Sequence, residues 1–319
     1  MTPLRIGLLG AARIAPPAVI VPASKRDDVI VTVVAARDPA RAAAFAAEHG
    51  VADVAADYDA LIHRDDVDLV YVGLPVSAHA EWTIKALEAG KAVLCEKSFC
   101  SNADEARAMV AAAERAGRPL IEAYHYRLHR VMRRAVEIVA SGELGTLRRV
   151  EALFDVPIKY DPNEIRWRAD QGGGALGDLG CYPLHAVRSL IGAEPDVVSA
   201  RIRMEHGVDA ETSAVLRFPG GVDGRISCSM LAPRPMATLF VEGDKGRLDI
   251  VNFIGPQMGC QFTVTVDGKT RGEPTDGPTT YEAQLDHVVE VMAGRAKPML
   301  GGAGAIAQMA AIDAIKAAA

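Results

Sequence analysis

Three side chains able to exchange protons, Asp178, Tyr182 and His185, stand four and three positions apart directly after three consecutive glycines, in GGGALGDLGCYPLH (172–185). On a helix starting near Leu179 such spacings place all three along one face. Pro183 is compatible with that helix only in its first turn, where few intrahelical bonds are lost. A free phenol titrates at about 10 and a free imidazole at about 6.5. Tyr182 therefore needs a neighbouring positive charge to act as a base at neutral pH, whereas the rival carrier His185 does not. The glycines read as backbone that approaches a ligand without side-chain collision, with the helix start aiming the proton carriers.

Further chemistry clusters at the ends of apolar runs in the first third of the chain. VLCEKSFC (93–100) releases Glu96 and Lys97 at the end of a strand, and open parallel sheets bind ligands at the carboxyl ends of their strands. IGLLGAARIA (6–15) resembles a dinucleotide-binding turn with Gly10 in place and with Ala12 and Ala15 at the other two glycine positions. A helix opening there offers the N–H groups of Ala11, Ala12, Arg13 and Ile14 to a pyrophosphate. The next strand ends in AARDPAR (35–41), where Arg37 and Arg41 suit a 2′-phosphate, so NADP is favoured over NAD. Asp38 keeps NAD open. In LPVSAHAEW (74–82), Leu74, Pro75 and His79 follow another strand and are expected near the nucleotide, His79 with no chemical role. No histidine–carboxylate spacing such as HExxH occurs, so no metal is expected.

These residues require a particular scaffold. Through residue 123, short apolar runs (5–10, 29–36, 68–74, 92–96, 119–123) alternate with helical stretches such as 39–50 and 102–117. Asn102 and Glu105 make a variant capping box, and Gly117 ends that helix. This rhythm predicts a doubly wound parallel Rossmann sheet over residues 1–123. From 124 to 319 a helix at 130–145 and β-rich runs at 148–156, 197–205, 214–220, 224–231, 237–243, 247–251 and 261–268 predict an α+β domain. Its large, open, mainly antiparallel sheet would bind substrate and support oligomerisation. Residues 281–294 and the final stretch read as helices, the last packing back near the first domain.

The 319 residues carry a net charge of −6, which argues against nucleic acid as the main partner. No apolar run reaches membrane-spanning length. Five scattered cysteines suggest neither a disulfide framework nor a zinc site, and the N-terminus shows no basic leader, so a cytoplasmic protein is expected. The open sheet face would need covering, which predicts a homodimer or homotetramer.

Taken as an ordered set, the Gly10 turn, Glu96–Lys97, the stretch Tyr124, Tyr126, Arg127 and His129, and GGGALGDLGCY resemble the Gfo/Idh/MocA oxidoreductases over essentially the whole chain. Within them the sequence is most similar to the subgroup of glucose–fructose oxidoreductase, dimeric dihydrodiol dehydrogenase, xylose dehydrogenase and 1,5-anhydrofructose reductase. The family's Glu-Lys-Pro motif falls on Glu96, Lys97 and Ser98, with serine in place of proline. Arg130 likewise stands where proline is common. The resemblance implies hydride transfer between NADP(H) and a sugar, sugar derivative or related diol. Tyr182 would be the acid–base, Lys97 its positive neighbour from the other half of the molecule, and Asp178 an orienting group for Lys97 or for a substrate hydroxyl. Trp167 and Arg168 fall where relatives touch cofactor or substrate; Tyr126, Arg127 and His185, with His125 and His129, fall near the substrate. Two alternatives stay open: an inactive NADP-binding sensor or structural protein, and an NAD-assisted glycosidase on the same fold.

Overall fold

The computed structural model describes residues 2–319. Apolar runs flanked by turn residues become the six strands of the first sheet: β1 (Leu4–Leu9), β2 (Val29–Ala35), β3 (Asp53–Val54), β4 (Leu69–Val72), β5 (Ala92–Cys95) and β6 (Leu120–Glu122). They are all parallel, in the order β3-β2-β1-β4-β5-β6. Strand order reverses at β1, which opens a crevice at the carboxyl ends of β1 and β4. Helices α1 (Pro39–His49), α2 (His79–Glu88) and α3 (Ala103–Ala116) make the crossovers that follow β2, β4 and β5. The expected cap of α3 is present: Asn102 accepts the Glu105 N–H at 2.9 Å, and Glu105 returns a bond to the Ser101 N–H. Gly117, at φ +60°, ends the helix.

The second sheet has eight strands: β7 (Leu147–Asp155), β8 (Asp196–Glu205), β9 (Val208–Arg217), β10 (Asp223–Ser229), β11 (Met236–Gly243), β12 (Gly246–Val251), β13 (Gln261–Val266) and β14 (Lys269–Gly272). Their order is β14-β13-β12-β11-β7-β10-β9-β8, antiparallel except for the β7–β10 pair. Burial alternates along β9. Ala210, Thr212, Ala214 and Leu216 point inward, while Glu211, Ser213, Val215 and Arg217 do not. One face therefore carries a core and the other lies open. On the covered face, helix α5 (Cys181–Ile191) packs on β7 and β10, and α4 (Arg130–Ala140) packs against α5.

The chain divides into two compact units after Tyr124, and the second is interrupted: Tyr281–Ile306 belongs with the first. This covers most of α6 (Thr280–Met292) and the start of α7 (Gly302–Ala317), while the rest of α7 belongs with the second unit. The reason is apolar packing. Leu285 and Val288 of α6 join Ile6, Leu8, Val34, Tyr71 and Leu94 in one buried cluster. No helix among the described residues is long and apolar enough to cross a membrane.

Candidate active-site residues

In the first unit, the ends of β1, β4 and β5 gather the nucleotide-end residues. Gly10 sits at φ +97°, and a Cβ there would lie 2.8 Å from the Gly73 carbonyl oxygen, so only glycine allows the two strand ends to approach. Ala11 and Ala15 are buried beneath the turn, and Ile14 packs on the same cluster. The turn feeds a helical stretch opening at Pro16, so Ala11–Ile14 precede its first turn. That close-approaching turn fits a dinucleotide pyrophosphate. Arg41 reaches back to it, its Nη2 donating to the Ala11 carbonyl at 2.9 Å. Asp38 caps α1 by accepting the Ala40 N–H at 2.9 Å.

His79 is fully buried and ties two loops together: Nε2 lies 2.7 Å from the Leu74 carbonyl and Nδ1 lies 2.8 Å from the Ser98 carbonyl. Burial lowers its pKa, and the charge of Lys97 acts in the same direction. Pro75 precedes the short turn leading into α2. Glu96 is buried and accepts the Tyr71 hydroxyl at 2.8 Å and the Lys97 N–H at 3.2 Å. Its carboxyl thus anchors the start of the Lys97 loop. The Lys97–Ser98 peptide bond is cis.

In the second unit, the helical run bearing the proton carriers starts at Leu176, one turn earlier than the glycine spacing suggested. Its first turn, Leu176–Gly180, is π-helical and passes directly into α5. Pro183 therefore lies inside the run. The Cys181 N–H turns to the Leu179 carbonyl, the acceptor that Pro183 leaves without its helical donor.

The three glycines answer to the fold itself. At Gly173 a Cβ would stand 2.6–2.8 Å from the carbonyls of Ile165, Arg166 and Arg168, and at Gly174, φ +128°, it would overlap the Asp209 carboxylate. The N–H groups of Gly173 and Gly174 donate to the Arg168 and Arg166 carbonyls. Internal crowding, as well as any ligand, excludes side chains here. Asp178 is engaged by Arg166, whose Nε donates to its Oδ2 at 2.5 Å; Arg166 also pairs with Glu164 at 3.0 Å. Asp178 is the largest influence raising the Arg166 pKa. Trp167 is buried in a small cluster with Leu179 and Met230 and donates its indole N–H to the Ile158 carbonyl at 3.1 Å. Arg168 is exposed and pairs with Asp170.

Tyr182 is only 6% exposed. Its hydroxyl lies 3.2 Å from His125 Nε2, and His125 Nδ1 lies 2.8 Å from Thr280 Oγ1. The rings of His125, Tyr126 and Phe154 meet that of Tyr182 edge-on, at centroid distances of 5.5–5.9 Å. His185 pairs instead with Tyr126, its Nδ1 lying 2.7 Å from the phenol oxygen. Burial holds the His185 imidazole well below its ordinary pKa, and the charges of Arg188 and Arg127 add to that effect. It is therefore neutral and turned toward another tyrosine. Burial also lowers the pKa of Arg127. Sequence reasoning had placed His125 near substrate but had not linked it to Tyr182; no local spacing connects residues 57 positions apart. Arg166 was passed over for its neighbours Trp167 and Arg168.

The chain matches two family models, described as "Oxidoreductase family, NAD-binding Rossmann fold" over residues 4–124 and "GFO/IDH/MocA C-terminal domain" over residues 132–249. It is 33% identical over 316 residues to D-xylose 1-dehydrogenase (NADP(+)) 2 of Haloferax volcanii, spanning 98% of this chain and 96% of that one. It is 36% identical over 251 residues to trans-1,2-dihydrobenzene-1,2-diol dehydrogenase of Sus scrofa, spanning 78% and 73%. A crystal structure of a 3-ketoreductase from Actinomadura kijaniata in complex with NADP and TDP-benzene matches with a TM-score of 0.91 at 28% identity, over 99% of this chain and 98% of that one. Both halves of the chain thus match, and it belongs to the Gfo/Idh/MocA family of oxidoreductases.

Proposed function

We propose that this oxidoreductase is NADP-dependent and converts between a secondary alcohol and a carbonyl on a sugar, sugar derivative or related diol. Tyr182 is the general acid–base and Lys97 the ammonium that favours its phenolate. The observation that carries the reading is the Tyr182 hydroxyl held 3.2 Å from an imidazole nitrogen, so that a ring otherwise placed like a core residue has a proton partner. The substrate class is supported by the named activities of the xylose and dihydrodiol dehydrogenases.

The Gly10 turn would hold the pyrophosphate of a bound NADP, which would supply or accept the hydride at its nicotinamide. The chain's own residues do the remainder. Arg37 and Arg41, at the end of β2, favour the 2′-phosphate of NADP, while Asp38 between them caps α1 through one carboxylate oxygen. Glu96 and His79 hold the Lys97 loop through Tyr71, Leu74 and Ser98. The partly exposed Arg166–Asp178 pair presents both donors and an acceptor to substrate hydroxyls, whereas Tyr126 is buried against Tyr182 with its hydroxyl paired to His185 and shapes the site through packing. Five free thiols support a reducing, cytoplasmic setting. A second copy would cover the open sheet face, where Leu153, Val215 and Phe240 lie among charged residues.

The test is absorbance of NADPH in stopped flow against a panel of aldoses, ketosugars and cyclic diols. Turnover of at least one class, abolished by Tyr182→Phe with NADPH affinity retained, is expected. Tight NADPH binding without turnover on any of them would return the protein to the sensor class.

A further inference from the structure

We propose that His125 is a catalytic residue, the immediate proton acceptor and donor for Tyr182. This rests on the reading of Tyr182 as acid–base and extends it one group inward.

The geometry defines a chain of three groups. The Tyr182 hydroxyl meets His125 Nε2 at 3.2 Å, and His125 Nδ1 meets Thr280 Oγ1 at 2.8 Å. Gln257 Nε2 donates to the same Thr280 oxygen at 3.4 Å, so that hydroxyl is already an acceptor and has a second lone pair for the imidazole. With the ring proton on Nδ1, His125 donates to Thr280, and its Nε2 lone pair accepts the Tyr182 O–H. Both rings are nearly closed to solvent, 5% exposed for His125 and 6% for Tyr182. A phenol so enclosed exchanges protons through a neighbour more readily than through bulk water. His125 sits at the start of a short helix, His125–Leu128, and is fixed from two other elements, Tyr182 on α5 and Thr280 at the start of α6. Among titratable groups, Tyr126 faces the pair, and behind it stand His185 and Arg127.

The proton ledger closes. In alcohol oxidation the substrate hydroxyl proton passes to the Tyr182 oxygen as the Tyr182 proton passes to His125 Nε2. The C–H electron pair would leave as hydride to a bound nicotinamide. A carbonyl product and an imidazolium result, the imidazolium bonded to Tyr182 through Nε2 and to Thr280 through Nδ1. Reduction runs the same transfers backwards.

Two measurements test this. In the ligand-free protein, long-range 1H–15N spectra of the histidine rings should show His125 protonated on Nδ1 only, with an Nε2 signal that moves in Tyr182→Phe. Protonation on Nε2 in the neutral ring would overturn the assignment, because that nitrogen could not accept the phenol proton. In kinetics, glutamine keeps a donor and an acceptor at the position of His125 but cannot take up the phenol proton. His125→Gln and His125→Met should each lose about 100-fold or more in kcat, the usual span for acid–base groups being roughly 10²- to 10⁴-fold, with the affinity for NADPH unchanged. Activity of His125→Gln within about twofold of the native enzyme would reduce His125 to a packing role. If Tyr182→Phe stays active while His125→Gln fails, the Tyr182 reading itself falls and the relay with it.

Discussion

Asp209 on β9 and Leu176 at the head of the Tyr182 helix are joined by a hydrogen bond: Asp209 Oδ2 accepts the Leu176 N–H at 2.5 Å. Thr212 also donates to that oxygen, at 3.2 Å, and the other carboxylate oxygen fills the space beside Gly174. A helix start otherwise left with bare N–H groups is thus tied to the sheet. The same contact fixes where the glycine run must lie.

A side chain at Gly174 is therefore costly twice, through its backbone angle of φ +128° and through overlap with Asp209. Gly174→Ala should lower the unfolding free energy by about 2–4 kcal/mol, combining backbone strain with overpacking. Gly192 ends α5 at φ +70° with open space around it, so Gly192→Ala should cost only about 1 kcal/mol. Urea titrations of the two variants give the comparison. Equal losses would mean that the Asp209 contact does not constrain the glycine run.

Arg166 holds Asp178 through a 2.5 Å charge-assisted bond while pairing with Glu164. Arg166→Ala removes the cation from both carboxylates and should reduce kcat/KM by roughly 10- to 100-fold, the usual scale for a hydrogen bond to a charged group. Arg166→Lys keeps charge but loses the forked geometry and should recover only part of the loss. Steady-state kinetics of both variants decide it; an Ala variant with native kcat/KM would make the pair purely structural.

What the residue pattern revealed, and what it did not, follows from the range of the interactions. The first sheet was legible because strands buried on both faces are nearly continuous apolar runs, as in RIGLLG and DLVYVGL. Strand β3 escaped because it has two residues, and β14 because Lys269–Gly272 is polar. The start of β9 escaped because it is no apolar run: small or polar buried residues, Ala210 and Thr212, alternate there with Asp209, Glu211 and Ser213. Asp178 and Tyr182 could be picked out by local spacing. Their partners could not: Arg166 is 12 residues from Asp178, and His125 is 57 from Tyr182. The glycine run was recognised but assigned to ligand approach, because Asp209, which crowds it, lies 33 positions beyond Leu176.

Arg37 should decide cofactor choice. Its guanidinium follows β2, next to Asp38, whose Oδ1 accepts the Ala40 N–H. Arg37→Ala should weaken NADP binding by about 10- to 100-fold and leave NAD binding within a few-fold, the difference being one charge-assisted phosphate contact. Arg41→Ala should act less selectively, because Arg41 also supports the Ala11 carbonyl at the pyrophosphate turn. Fluorescence titration of each variant with both dinucleotides separates the two effects. Equal losses for NAD and NADP at Arg37 would remove the phosphate contact.

His185 should reveal itself in stability rather than in turnover. In the unfolded chain its imidazole titrates at about 6.5. In the fold, burial holds its pKa well below that value, and Arg188 and Arg127 oppose its charging. Above the unfolded value both states are neutral, and the stabilising contribution is fully present. As pH falls below about 6.5 the unfolded chain takes up a proton that the fold refuses, so stability is lost toward the folded pKa, by up to about 1.4 kcal/mol per pH unit. His185→Gln removes the titration while leaving an acceptor for the Tyr126 hydroxyl. Its unfolding free energy should fall less than that of the native protein between pH 7.5 and 5, and subtracting the two curves cancels the other buried histidines. Because the ring faces Tyr126 rather than Tyr182, the pH profile of kcat should keep its shape in the same variant. If His185→Gln abolishes turnover while Tyr182→Phe retains it, proton transfer belongs to the imidazole after all.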